Sequence, residues 1–430
     1  MTLRTLVSCA LIATAVLVPS LRGKLPPLEE RRALHHQVEA ELRENILPFW
    51  LEHARDRERG GFYGEIDGDL NIKRNAPRGA LLTSRILWTF SAAYQRYRDP
   101  AYLEMARWAY DDLQSRFWDR EHGGLYWRIS ADGKPLDARK ILYVQAFGIY
   151  ALSEFNRATG DRKPLDRAIE LFRLVERHCV DAEHGGYFEE LSRDWQVLRD
   201  RGARGSAMGS KGQKSQNVHL HLLEAYTNLL RAWPDATLRE RLRSVADVML
   251  DRILDAKTDH LRLFLDEDWT PRSEEYSFGH DIEFSWLMCE TADVLDDENL
   301  IARVRPLAVQ IAHTTLEQGV DPDGGVLGEA NPRGLTVTFK EWWPQAEAVV
   351  GFLNAYQISG DPKLWTAMRR SWSFIETYLV DRKKGEWLHG VSRDHTKRST
   401  MKLSFWKCPY HNGRACLQVL ERLESLESKP

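Results

Sequence analysis

A loose motif recurs along the whole chain and limits what it can fold into more than any other feature. It consists of an aspartate, a few polar residues, then Gly-Gly and an aromatic or aliphatic residue. Copies begin at Asp56 (DRERGGFYG), Asp119 (DREHGGLYW), Asp181 (DAEHGGYFE) and Asp321 (DPDGGVLGE), with a degraded copy at Asp381 (DRKKGEWLH). The intervals are 63, 62, 140 and 60 residues. The 140-residue gap has room for one more copy, near Asp255 (DAKTDHLRLFLDED). Six units of about 60–75 residues result, and such periodicity outranks the domain count that length alone suggests.

Each unit reads as two helices. A stretch with period 3.6 follows each loop, as in 142–155, 218–233, 282–295 and 346–356. A second helix then leads to the next loop, as in 164–179 and 300–316. Twelve helices in six hairpins predict an all-α fold, an (α/α)6 barrel that closes on itself around a central pocket. The alternative is an open solenoid. No βαβ alternation and no glycine-rich phosphate loop is present, which argues against a nucleotide fold. The longest irregular stretch, Arg199 to Gln216 (RDRGARGSAMGSKGQKSQ), reads as a mobile loop, either functional or simply solvated.

Charge and composition narrow the function. Sixty Lys+Arg face 63 Asp+Glu, net −3, which argues against a nucleic-acid partner. Hydrophobic residues at 43% suffice for a large core. Fifteen tryptophans are a surplus, some for packing and some for lining a pocket. The N-terminus carries one basic residue and an apolar run from Thr5 to Val18, then Pro19-Ser20. Residues 1–20 therefore read as a signal peptide or N-terminal anchor, and the protein as exported, periplasmic or secreted. The run is short for a membrane span, and no other stretch approaches spanning length. A single barrel domain is expected over 25–428, acting as a monomer or weak dimer. Cys9 lies in the leader. Cys179, Cys289, Cys408 and Cys416 are widely spaced without metal-binding pattern and read as buried small hydrophobes, with one disulfide left open.

A polar residue opens the second helix of every unit: Arg85, Tyr143, Asn217, His280, Trp343 and His411, at steps of 58, 74, 63, 63 and 68. In a barrel these six form a ring at one end of the inner helices. Asn217, His221 and Glu224 share one helix face at i, i+4 and i+7. His280 and Glu283 are spaced i, i+3, so the carboxylate can reach the imidazole and set its tautomer; it could also cap its helix. His411 follows Cys408-Pro409 at a helix start, where the helix dipole favours neutral imidazole, a form able to act as a base near pH 7. His219 falls on the apolar stripe with Leu222, Tyr226 and Leu229 and reads as a core histidine. His35, His36, His53 and His122 read as surface or loop residues. His219-x-His221 diverges on a helix, so neither metal nor cofactor is expected.

These segments resemble the N-acylglucosamine 2-epimerase superfamily, and within it the cellobiose 2-epimerases. The resemblance runs from about Glu29 to Leu426 and rests on NVHLHLLEAYTNLLR, YSFGHDIEFSWLM, KEWWPQAEAVVGFLNAYQ and FWKCPYHNGRACLQV. It implies an (α/α)6 barrel and a cofactor-independent epimerisation at C2 of a reducing sugar. On this resemblance His280 and His411 are the two acid/bases working through a cis-enediolate. Arg85, Asn217 and His221 hold O1 and O2, with His221 assisting ring opening, and Glu283 orients His280. Trp343 and Trp406 stack on the sugar rings and Tyr143 adds a hydroxyl contact. The expected partner is a small disaccharide. The export signal and the loop 199–216 depart from the family pattern, and the loop could alter the second sugar's subsite.

Three alternatives stand beside this reading. A mannose isomerase or mannose 2-epimerase would use the same histidines on a monosaccharide. An inverting glycosidase needs two carboxylates about 6.5–9.5 Å apart, with Asp281, Glu283, Glu341 and Glu347 as candidates. A sugar-binding or scaffold protein would have no use for paired histidines.

Overall fold

A computed structural model describes residues 25–199 and 205–427. The leader expected over residues 1–20 and Cys9 lie outside the described residues. No helix among the described residues is long and apolar enough to cross a membrane.

Six inner helices form the wall of the barrel: Ala80–Tyr97, Leu142–Thr159, Gln216–Ala232, Phe278–Leu295, Trp342–Ser359 and Tyr410–Glu427. Each is buried on nearly every side, because it packs against two inner neighbours and an outer helix. Neighbours pack in sequence order, and the sixth inner helix packs against the first, so the ring closes. This decides for the barrel over the open solenoid.

The outer helices are amphipathic. Arg162–His178 buries Leu165, Ile169 and Phe172 and turns its charged residues outward. Asp99, Asp161, Asp235, Asp297 and Asp361 cap five outer helices, each side chain accepting a backbone N–H from the first turn. The sixth outer helix comes from the chain start. It runs as Leu28–Ala40, a π-helical stretch Glu41–Ile46, then Leu47–His53, and it packs on the last inner helix.

The Asp-Gly-Gly segments are turns on the barrel end where the inner helices begin. Asp119 Oδ1 accepts the N–H groups of Glu121 and His122, while Oδ2 takes Lys140 Nζ at 3.0 Å. The same turn-to-cation tie recurs as Asp56–Arg78, Asp181–Lys214, Asp321–Lys340 and Asp381–Lys402. Each of these cations lies on the approach to the next inner helix, and short antiparallel strand pairs such as Lys140–Ile141 with Glu190–Leu191 knit the rim. Gly124 has φ +72°, and a Cβ there would lie 2.5 Å from the Trp195 ring. Glycine is therefore required by conformation and by space. The unit at Asp255 lacks the glycines, and its aspartate pairs with Arg262 at 3.2 Å instead.

The inner helices start earlier than the apolar pattern predicts: 216 rather than 218, 278 rather than 282, 342 rather than 346. Their first turns carry polar and aromatic residues that face the barrel end, so the 3.6 pattern is masked there. The four described cysteines are buried free thiols.

Candidate active site

A cavity of about 230 Å³ opens at the rim where the inner helices begin. Nine residues expected from the sequence line it together: Arg85, Tyr143, Asn217, His221, His280, Glu283, Trp343, Trp406 and His411. Eight of them come from all six inner helices, and Trp406 comes from the rim segment just before the sixth. Glu341, Trp342 and His389 complete the wall.

Each imidazole has its own setting. His221 Nδ1–H donates to Glu224 Oε2 at 2.9 Å, one helical turn away. His411 Nδ1–H donates to Glu347 Oε1 at 2.7 Å, across to the fifth inner helix. A carboxylate on Nδ1 fixes the tautomer and leaves Nε2 as the free nitrogen. His280 Nδ1 is buried with no hydrogen-bond partner among the described residues, and its ring lies 4.6 Å from that of Trp343. Trp343 also reaches His411, at 5.6 Å between ring centroids, and its indole N–H donates to Glu341 at 2.7 Å. Burial holds all three imidazoles below their ordinary range, His280 down to about 3. For His411 the Arg85 and Arg414 guanidinium charges add to burial. These histidines are neutral at pH 7.

Arg85 is buried with its guanidinium 4.3 Å over the Phe147 ring, and it donates to Tyr143 Oη at 2.8 Å. Tyr143 in turn meets His221 edge to face. Asn217 Oδ1 is buried without a hydrogen-bond partner among the described residues. Trp406 stands at the rim, 39% exposed, beside Trp127, Phe405 and Tyr143. An exposed indole beside a polar cavity provides a flat apolar platform for a sugar ring.

Glu283 does not orient His280. Its Oε1 is held by Arg414 at 2.6 Å and lies 4.0 Å from His411 Nδ1. The i, i+3 spacing puts the two side chains on one face, but a buried guanidinium from the sixth helix outcompetes an imidazole for the carboxylate. Glu283, Glu347 and His411 do bring ligand atoms within 4.8 Å of one another, as a metal site would. Arg414 donates to both carboxylates, so a cation already sits between them. Burial and the adjacent Glu347 charge push Glu283 well above the usual carboxylate range.

A sequence profile of the N-acylglucosamine 2-epimerase family matches residues 61–415. A cellobiose 2-epimerase of Bacteroides fragilis is 43% identical over 389 residues, 90% of this chain and 98% of that protein. The chain belongs to the N-acylglucosamine 2-epimerase family. A cellobiose 2-epimerase of Dictyoglomus turgidum is 37% identical over 91% of this chain and 99% of its own length. The solved structure of a cellobiose 2-epimerase from Bacillus thermoamylovorans superposes with a TM-score of 0.86 at 37% identity, covering 91% of this chain and all of that one.

For this 2-epimerase family member, sequence reasoning missed the second layer of the site. Glu347 entered only as a glycosidase candidate and Arg414 not at all. The available signal was a charged residue inside an otherwise apolar inner helix, which must be paired when buried. His389 carries no such signal and reaches the cavity only through the fold. Of the glycosidase carboxylates, Asp281 is turned away, held by His260 Nδ1 and the Leu261 N–H at 2.8 Å each. Glu283 and Glu347 share one guanidinium, and Glu341 accepts from Trp343. His219 is the expected core histidine, bonded to the Ser215 carbonyl at 2.8 Å and accepting the Tyr187 N–H at 3.1 Å. None of the described residues of the loop 199–216 lines the cavity.

Proposed function

We propose that this chain epimerises C2 of the reducing-end sugar of a β-1,4-linked disaccharide, converting cellobiose to glucosyl-mannose. The observation that carries the reading is a pair of buried neutral imidazoles, His280 and His411, lining one cavity with the Trp343 ring against both. The names of the curated relatives supply the disaccharide.

Proton abstraction next to a carbonyl needs an unprotonated base, and return of a proton to the other face needs a second group, protonated when it acts, placed apart from the first. In the proposed sequence the sugar ring opens to the aldehyde, with His221 moving the proton between O1 and the ring oxygen. One of the two histidines takes the C2 proton, and the C–H electron pair enters a cis-enediolate. Arg85 and Asn217 hold the O1 and O2 oxygens, where charge develops. After rotation about C2–C3 the other histidine, having taken a proton from solvent to become imidazolium, gives it to the opposite face of C2; the first histidine releases its proton to solvent, and the ring closes. No atom is gained or lost overall. Trp343 and Trp406 supply stacking surfaces for the two rings, and Tyr143 adds a hydroxyl beside Arg85.

Incubation with cellobiose in deuterated water, followed by NMR, tests this. Glucosyl-mannose carrying deuterium at C2 is the expected product. Glucosyl-fructose alone would point to isomerisation, with the proton returned to C1. Free glucose would revive the glycosidase, and no product from folded protein overturns the proposal.

A further inference from the structure

Arg414 lies one turn beyond His411 on the last inner helix and is 1% exposed. Its Nη1 donates to Glu224 and meets the Tyr410 hydroxyl; its Nη2 donates to Glu283 at 2.6 Å and Glu347 at 2.7 Å. Glu224 is the carboxylate that holds His221, and Glu347 is the one that holds His411. Two imidazoles from different helices are thus tied, each through one carboxylate, to one guanidinium. His280 stands outside this network.

The surroundings make that guanidinium decisive. Glu224, Glu283 and Glu347 face it from the third, fourth and fifth inner helices. Tyr410 and His411 face it from its own helix, while Arg85 and Tyr150 approach the cluster from the first and second. The Trp286 ring covers its face at 4.8 Å. A planar fork can serve three acids at once, where a lysine ammonium is a point charge. Burial would raise Glu224, yet the Arg414 charge and the His221 contact outweigh it and hold Glu224 down at about 2.

We propose that Arg414 is a positioning residue: it keeps the carboxylate partners of His221 and His411 ionised and in place, and so governs when these two histidines take up a proton. Its kinetic consequence rests on the epimerase reading above; the charge coupling itself is a property of the folded chain. Removing a buried positive charge raises the proton affinity of every neighbour. A purely structural residue would lower activity equally at all pH values.

The test uses the full chain with isotope-labelled histidines. Imidazole titrations are followed by NMR in the wild type, Arg414→Met and Arg414→Lys, beside the pH profile of kcat/KM on cellobiose. In Arg414→Met, His221 and His411 are expected to titrate at least about one pH unit higher, with the acid limb of kcat/KM moving up alongside. kcat should fall by at least about tenfold while KM changes by less than about threefold. Arg414→Lys should restore most of the titration shift but less of kcat, because the charge returns without the fork. His280, off the network, should shift least. Should the methionine variant not fold, Glu224→Gln serves: loss of one negative charge on the shared guanidinium should lower the His411 titration, although the two side chains do not touch. Unmoved histidine titrations with an unshifted acid limb in Arg414→Met, or an unmoved His411 in Glu224→Gln, overturn the proposal. Shifted titrations in a chain inactive on cellobiose would instead retain the coupling and discard the epimerase reading.

Discussion

His219 and His221 sit two residues apart on one helix and have opposite roles. His219 is wholly buried, with both ring nitrogens satisfied by backbone, and burial lowers it to about 4. His221 turns its Nε2 to the cavity and rests its Nδ1 on a carboxylate. Periodicity separated the two, since i, i+4 and i+7 residues share a face and i+2 does not. The partner of His411 was not legible in this way, because Glu347 is 64 residues away in sequence. His280→Ala and His411→Ala should each abolish turnover, by at least about 10³-fold, with the thermal midpoint changed by only a few degrees. Full activity in either variant breaks the two-base scheme. The lowered histidines also set the pH response. A neutral base fails as pH falls through its folded value, so the acid limb of kcat/KM should lie below pH 6.5 rather than at it. His219 acts on stability with the same sign. The unfolded chain binds its proton near 6.5 and the folded chain only near 4, so stability is complete above pH 6.5 and declines toward pH 4, by about 1.4 kcal/mol for each unit. Thermal midpoints measured across that window check the slope, which should flatten in His219→Gln.

The hairpin unit is where the repeat acquires a physical meaning. Its aspartate is not catalytic: it closes the turn with one oxygen and holds a buried lysine or arginine with the other. That cation lies just ahead of the next inner helix, so the loop sets where the helix begins and which residues its first turn offers to the cavity. The third unit shows this most fully, with Lys214 Nζ donating to Asp181 Oδ2 at 2.7 Å and to the carbonyls of Gly185 and Glu267 at 2.7 and 2.6 Å. Lys214→Ala leaves a buried aspartate and two carbonyls without their donor, and should cost about 3–5 kcal/mol. Denaturant unfolding would measure it, with turnover retained in the fraction that stays folded. The same loss on Arg193→Ala should be far smaller, since Arg193 is exposed and Asp119 keeps Lys140. The Asp-Gly-Gly copies were visible in the sequence, but the lysines were not recognised as part of the repeat, because their distance from the aspartate ranges from 19 to 33 residues. The aspartate caps of the outer helices were a second, unread register.

At the scale of the whole molecule the chain start completes the ring. The helix beginning at Leu28 packs on the last inner helix, Trp365 donates to Glu30 at 2.8 Å, and Trp387 donates to Glu41 at 2.8 Å. Trp50, Lys407 and Asn412 all donate to Glu386, joining the first and last segments beside the cavity. Deletion of residues 25–55 should therefore destroy cooperative folding of the entire barrel, read as loss of the sharp thermal transition in circular dichroism. An open solenoid would survive loss of a terminal unit with the remaining repeats intact. The sequence by itself determined the number of units, the all-α class, the side of each inner helix that faces the cavity and nine of the twelve residues that line it. Apart from Trp406, which the family resemblance alone supplied, those follow from local rules, 3.6-residue periodicity and a repeated register, which need no knowledge of distant partners. Only the tertiary structure decided that the ring closes, that Arg414 rather than His280 holds Glu283, and that two imidazoles answer to one buried guanidinium. These depend on contacts between helices far apart in sequence, and in a low-dielectric interior the nearest opposite charge prevails over the nearest residue on the same helix.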